Sequence, residues 1–384
     1  MSQPEVRTQW LVVALVATLS LAACEGLPFG EPDTLVGIEF QNGVECLGEE
    51  AQPVGGDDVY VSPAGDDTNA GTSVAAPFAT LGYALCNLQP GQTLHVLLGI
   101  YKESVILGVF GTADAPIAIV GEPEGDRLPV LDGEGQRSYG IALVESVNVS
   151  VENLEFRNFN DAGLYVLTGA DITIRNNRFM DNGRASIEPD SEGEGFGVNV
   201  DGTARVVIEG NEAAGNGPNE ERVARYILGT GINTFELRDA VIRGNYSHDN
   251  IGGGILVEDS ETVLVEDNRV ADNELDANGD YWDGGIWVDG GRDVVLRANT
   301  IMGNHGPGIE ISDEDVQYPA ASVGYVLAAN QVTDNLYGVY VWNFGQCPLP
   351  PEDALRLEGN TIEGNTDQDW LCDEWGCGEG QACD

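Results

Sequence analysis

Three carboxylates stand in short segments that open with glycine: Glu258 in Gly254-Ile-Leu-Val-Glu258, Asp289 in Gly285-Ile-Trp-Val-Asp289, and Glu310 in Gly308-Ile-Glu310-Ile-Ser312. In an extended chain alternate residues leave opposite sides, so with the isoleucines and valines inside, all three acids point out. Where such segments stack as neighbouring strands, Glu258 and Asp289 stand about 5 Å apart. Two like charges that close raise one pKa or hold a cation, and about 5–5.5 Å separates the acid and nucleophile of a retaining glycosidase. The same outward positions carry aromatics and amides. One column reads Tyr165, Asn199, Asn233, Leu256, Trp287, Glu310, Tyr340; a second, two residues on, reads Leu167, Asp201, Phe235, Glu258, Asp289, Ser312, Trp342. Aromatic faces beside carboxylates and amides are what sugar rings need. The expected catalytic set is Glu258, Asp289 and Glu310, and the expected sugar contacts are Trp287, Tyr340, Trp342, Asn199, Asn233 and Asp201.

The elements that must hold these columns follow from a repeat. Asn-x-x-x-x-Asn recurs seven times, at Asn177/Asn182, Asn211/Asn216, Asn245/Asn250, Asn268/Asn273, Asn299/Asn304, Asn330/Asn335 and Asn360/Asn365. A Gly-apolar-x-apolar segment follows six of the pairs, and apolar residues lie five and three places before the first Asn of each. This is a solenoid with three short strands and three turns per coil. The asparagines are expected at turns, on left-handed backbone, stacked as an internal ladder. Two residues before the first Asn the outward position reads Glu152, Arg175, Glu209, Arg243, Glu266, Arg297, Ala328, Glu358, so opposite charges pair between coils and help to fix register. Insertions at 183–194, 217–229 and 274–283 precede the Gly-apolar strands, and 312–322 and 343–353 follow them, as walls of a groove.

Composition bounds the partners. The 384 residues are 42% hydrophobic, enough for a long core that counts as one domain. With 17 basic and 64 acidic residues the net charge is −47, which repels nucleic acid and anionic membranes. The expected partner is polysaccharide, not nucleic acid, and the chain is expected to be a monomer. A saline habitat and a calcium-binding surface explain the acidity equally well. Asp276, Asn278, Asp280 and Asp283 place oxygens at positions 1, 3, 5 and 8 of a segment like the opening of a calcium loop, which lacks the later Gly and Glu. Ca2+ is the cofactor expected there. His248, in Asn245-Tyr-Ser-His-Asp-Asn250, reads as a solvent-facing turn residue or, with Tyr246, as an acid/base couple.

Arg7 precedes an apolar run from Trp10 to Leu21, and Leu21-Ala22-Ala23-Cys24 follows. This resembles a bacterial lipoprotein signal. The resemblance implies removal of residues 1–23, a lipidated Cys24, a tether over 24–58, and an envelope protein touching membrane through its lipid alone. An ordinary secretory signal is the alternative, and both readings export the chain. Export makes Cys46, Cys86, Cys347, Cys372, Cys377 and Cys383 disulfide candidates. Fifteen pairings are open; proximity favours Cys46 with Cys86 and Cys347 with one of the tail trio. Zinc on that trio is the competing reading, against which stand the lack of a nearby His and of Cys-x-x-Cys.

Residues 59–133 contain a strand at Val59-Tyr-Val, an acidic Gly-rich turn, Pro77-Phe-Ala-Thr-Leu-Gly-Tyr-Ala-Leu, a Pro-Gly turn and Gly99-Ile-Tyr-Lys-Glu-Ser-Val. This stretch resembles the N-terminal part of right-handed parallel β-helix proteins, many polysaccharide lyases among them. The resemblance implies an all-β solenoid: cap and first rungs over 59–148 with a capping helix at 77–88, repeats over 149–365, and a Cys-rich tail over 366–384. It carries little information about activity. Calcium-dependent lyases of this kind bridge a uronate to acidic residues and abstract a proton with Lys or Arg. Here Lys102, the one lysine, is remote from the columns, and Arg175, Arg243 and Arg297 belong to the charge ladder, which leaves Arg222 and Arg225. The Asp-Asp and Gly-His-Gly stretches of polygalacturonase-like enzymes are absent. The expectation is an exported protein that binds or processes polysaccharide, as lyase, glycoside hydrolase or epimerase; a non-catalytic adhesion or scaffold protein is the alternative.

Overall fold

The computed structural model describes residues 44–45, 54–184, 193–218, 227–275, 283–312, 323–342 and 355–373. Strands of successive coils pair in parallel, and each coil supplies three. Face 1 holds the Gly-apolar segments, including Ile232–Phe235, Ile255–Glu258, Ile286–Asp289, Pro307–Ser312 and Tyr337–Trp342. Face 2 holds Arg238–Arg243, Glu261–Glu266, Arg292–Arg297 and Tyr325–Ala328. Face 3 is a ten-stranded sheet of very short strands such as Tyr246–His248 and Arg269–Ala271. Faces 1 and 2 form one sheet, because Ala162–Arg175 and Phe196–Glu209 run through both without a break.

The alternation read from the sequence places the core correctly. Ile255, Val257, Ile286 and Val288 from face 1 meet Val263, Val265, Val294 and Leu296 from face 2 and Val270 and Ile301 from face 3 in one buried cluster. At the corners run two asparagine ladders. Asn245 donates its Nδ2 to Asn268 Oδ1 at 3.0 Å and to Ile208 O at 3.0 Å, while its backbone N–H also reaches Asn268 Oδ1, at 2.9 Å. A buried amide that makes all its bonds stabilises, whereas one left unmade is costly, so the column is a continuous structural spine. The second ladder ends where Asn365 donates to Asp369 Oδ1 at 2.9 Å. In the coil before the first Asn pair, Leu154 holds the Asn slot and its backbone N–H donates to Asn177 Oδ1 at 3.0 Å. One expectation is corrected: the left-handed backbone belongs to the residue before each ladder Asn, such as Asn176, Asp181, Asp267 and Asp272, and not to the ladder asparagines. The turn is made first, which leaves the amide free to point inward.

That inward amide explains the glycine that opens each face-1 strand. A Cβ on Gly285 would lie 2.7 Å from Asn304 Nδ2 and 2.7 Å from Gly308 O, closer than carbon can approach either.

At the N-terminal end a helix, α1 (Leu81–Cys86), is shorter than the expected 77–88 because Phe78 bridges to Val61 as a strand partner. Thr80 caps it by accepting from Tyr83 N, and the Glu103 carboxylate accepts from Leu81 and Gly82 N–H at 3.0 and 2.9 Å. Leu81, Ala84 and Leu85 join Val59 and Val61 in the core. The expected tether over 24–58 ends early: Val44–Glu45 pairs with Val105 and Ile106, and Gln92 holds the carbonyls of Val54 and Gly56. Backbone pairing to an edge strand needs no side-chain pattern, so no residue pattern signals it. Cys86 is disulfide-bonded and Cys372 is buried; Cys24, Cys46, Cys347, Cys377 and Cys383 lie outside the described residues.

The charge ladder on face 2 pairs each arginine with the glutamate one coil earlier: Arg175 with Glu152 at 2.8 Å, Arg243 with Glu209 at 3.0 Å, and Arg297 with Glu266.

Candidate functional site

Strand register brings both outward columns onto face 1. Tyr165, Asn199, Asn233, Leu256, Trp287, Glu310 and Tyr340 are successive partners, as are Leu167, Asp201, Phe235, Glu258, Asp289 and Ser312. Glu258 and Asp289 are direct neighbours, one strand spacing or about 4.8 Å apart at the backbone.

The expected exposure is corrected at the C-terminal end of the columns. Trp287, Asp289, Glu310 and Ser312 are 3%, 6%, 2% and 0% exposed, and Tyr340 is also buried. Trp287 Nε1 donates to Ser312 Oγ at 2.7 Å, and Ser312 Oγ donates to Asp289 Oδ1 at 2.7 Å. Trp342 Nε1 donates to Glu310 Oε1 at 2.6 Å, and its ring stacks on Tyr340 at 6.4 Å. Side chains here lean along the column and bond to the next coil. Alternation decides which way a side chain leaves the strand and says nothing about what it meets.

Towards the N-terminus the same columns are half-open. Tyr165 stacks on Tyr139 with centroids 5.1 Å apart, and Asn233 Nδ2 donates to Asn199 Oδ1 at 2.9 Å. Tyr165, Asn199, Asp201, Phe235 and Glu258 are all partly accessible. Burial, and then the charge of Glu236, pushes the Asp201 carboxyl up to about 6. Asp201 is thus a carboxyl that holds or releases a proton near neutrality.

Of the expected calcium ligands, Asp276, Asn278 and Asp280 lie outside the described residues. Asp283 is buried, its Oδ2 accepting from Gly253 N–H at 3.2 Å, and Glu274 Oε2 accepts from the N–H groups of Asp283 and Gly284, each at 3.1 Å. These two carboxylates fasten the flanks of segment 276–282 to the coil.

His248 is a strand residue of face 3, not a turn residue. It stacks on Tyr246 at 3.9 Å, and its ring nitrogens face Asp249 Oδ2 at 2.6 Å and Glu212 Oε1 at 3.5 Å. Arg269 lies 4.7 Å over the other ring, that of Tyr246. With both nitrogens engaged, the pair is arranged as packing. A shallow polar cleft of about 450 Å³ opens at the turns beside face 3, lined by Asp132, Glu134, Gly135, Asn158, Asp181 and Arg184. Arg157 neutralises Asp132 at 2.9 Å and Arg184 neutralises Asp181 at 3.2 Å. The cleft stands apart from the columns.

Two groups beside the columns escaped sequence reading. Tyr139 precedes Gly140-Ile-Ala-Leu, a Gly-apolar-x-apolar segment upstream of the Asn pairs, so the motif itself was the available signal. Glu236 has left-handed backbone just past its strand, where no periodicity reaches.

A family model described as right handed beta helix region matches residues 132–283 and 197–368. The chain belongs to the right-handed β-helix family. It is 29% identical over 315 residues to the uncharacterized protein YwoF of Bacillus subtilis, covering 73% of this chain and 62% of that one. It therefore spans less than two thirds of that relative. It is 26% identical over 363 residues to pectate lyase PEL9 of Emericella nidulans, covering 82% of this chain and 84% of that protein. Among solved structures, a GH136 lacto-N-biosidase from Eubacterium ramulus superposes with a TM-score of 0.55 at 16% identity, over 83% of this chain and 67% of that one. At that identity the likeness is one of fold.

Proposed function

We propose that this protein binds and processes polysaccharide along face 1. The observation that carries the reading is the register: it sets Asp201, Glu258, Asp289 and Glu310 in two adjacent columns of one sheet, among tyrosines, tryptophans and amides. Tyr165, Phe235 and Trp342 offer rings, Asn199 and Asn233 offer hydrogen bonds, and the carboxylates offer proton transfer or charge stabilisation. Pectate lyase PEL9, similar in sequence, and the lacto-N-biosidase, similar in fold, support carbohydrate as the substrate class. Incubation with a panel of neutral and acidic polysaccharides, read for new reducing ends and for ultraviolet absorbance of unsaturated sugars, tests it. Binding with neither product would leave the second reading, a non-catalytic adhesion or scaffold protein, which the burial of Asp289 and Glu310 favours.

Calcium belongs to the same proposal. Asp276, Asn278, Asp280 and Asp283 supply hard oxygen donors, and a bound ion would offset the charge that otherwise repels an acidic chain. Equal melting temperatures in calcium and in chelator at constant ionic strength would remove it. We also propose a lipid on Cys24 and a place in the bacterial envelope, supported by the signal-like first residues. Detergent partitioning unchanged in Cys24→Ser would count against both.

A further inference from the structure

We propose that Asp201 and Glu258 are the acid and base of an inverting glycoside hydrolysis, carried out across the ring of Phe235. The proposal rests on the polysaccharide reading and deepens it. Asp201, Phe235 and Glu258 hold equivalent places on three successive strands, so the two acids are two spacings apart. That is about 9.6 Å between backbones, from which the side chains need lean together only slightly to reach the roughly 6.5–9.5 Å of inverting carboxyl pairs. Phe235 holds the place between them in the column, an apolar ring against which a sugar could pack. The closer pair, Glu258 with Asp289, has the retaining spacing, but Asp289 is buried and its Oδ1 already accepts the Ser312 hydroxyl.

The environment of Asp201 suits the role of the acid. Asp201 is half-buried beside Glu236, and no cation pairs with it among the described residues, so its protonated form persists towards neutrality. A second observation points to a ligand at the same place. Asn233 stands on the strand between the two acids, two residues before Phe235 and on the same side. It is 7% exposed, and its Oδ1 has no hydrogen-bond partner among the described residues. A sugar hydroxyl donating to that oxygen would satisfy it.

In the step, Glu258 takes a proton from water as the water oxygen bonds to the anomeric carbon. The glycosidic C–O bond breaks, and Asp201 gives its proton to the departing oxygen. Water is the sole co-reactant, and exchange with solvent returns both acids to their starting states.

The test uses the full chain and the polysaccharides it binds, with the anomeric configuration of fresh product read by proton NMR. Inversion is expected, and Asp201→Asn and Glu258→Gln should each lower kcat at least about 100-fold with binding retained. Wild-type activity should fall as pH rises through about 6, and Glu236→Gln should move that limb to lower pH, a readout that needs no catalytic variant to fold. Retention of configuration, unsaturated products, binding without turnover, or a limb unmoved by Glu236→Gln would overturn the assignment while leaving polysaccharide recognition standing. Absence of binding to any polysaccharide would overturn the underlying reading as well.

Discussion

The two ends of face 1 share one strand pattern and one register, yet they differ in what their outward side chains do. From Trp287 onward the polar groups bond one another: indole to serine, serine to aspartate, indole to glutamate. From Tyr165 to Glu258 most are half-open, with one aspartate pushed up to about 6 and one buried amide whose oxygen is unpaired among the described residues. Hydrogen bonds among buried groups rigidify, whereas unmet polar capacity beside open surface is where a ligand gains by binding. Equivalent sequence positions can therefore be scaffold at one end and candidate site at the other.

Both ends stand on one asparagine spine, and interrupting it should cost the most. Asn273 accepts from Asn250 N and Nδ2 and donates to Asn304 and to Ser247 O, wholly buried. Asn273→Ala should lower unfolding free energy by about 2–4 kcal/mol in a urea melt, because buried partners lose their bonds at once. A change within error would mean that the coils stand without the ladder.

Ser312→Ala asks whether the closed end is scaffold. It removes one bond from Trp287 and one from Asp289, and should cost about 1–2 kcal/mol by the same measurement. Stability unchanged with binding weakened would instead place the closed end in the site.

The open end should show itself as a pH dependence of opposite meaning. Asp201 has a folded value raised from 3.8 to about 6, so its ionisation opposes folding: stability should decline as pH rises from 3.8 to about 6, and Asp201→Asn should abolish that decline. A distinct loss is expected at higher pH from His95 on face 2, clamped by Glu122 at 2.6 Å and Asp58 at 3.0 Å. Burial alone would lower its pKa, but the two carboxylates outweigh it and raise it above 6.5. Its contribution is complete below 6.5 and disappears as pH rises through the folded value; His95→Gln should erase that phase. A single step common to both variants would tie the two groups to one event.

The smallest effect is expected from Arg243→Ala, whose partner Glu209 is also well exposed. Solvent and salt screen such pairs, so the melt should not move beyond its scatter. A clear shift would make register, and with it both ends of face 1, depend on the charge ladder.

Much of this was readable from the chain. The Asn pairs, the Gly-apolar segments and the alternating valines and isoleucines determined the coil, its three faces, the inward set and the two outward columns, because each is a local preference repeated until neighbouring coils must align. The site was legible only as a line of candidates. Whether Asp289 lies under a serine bond or Asp201 stands half-open depends on residues one coil away: Ser312 on the next strand in one case, Glu236 just past the next in the other. Direction out of a strand is a property of the strand, and sequence determined it; solvent access, proton affinity and unmet hydrogen bonds are properties of the neighbours, and only the stacking of the coils decided those.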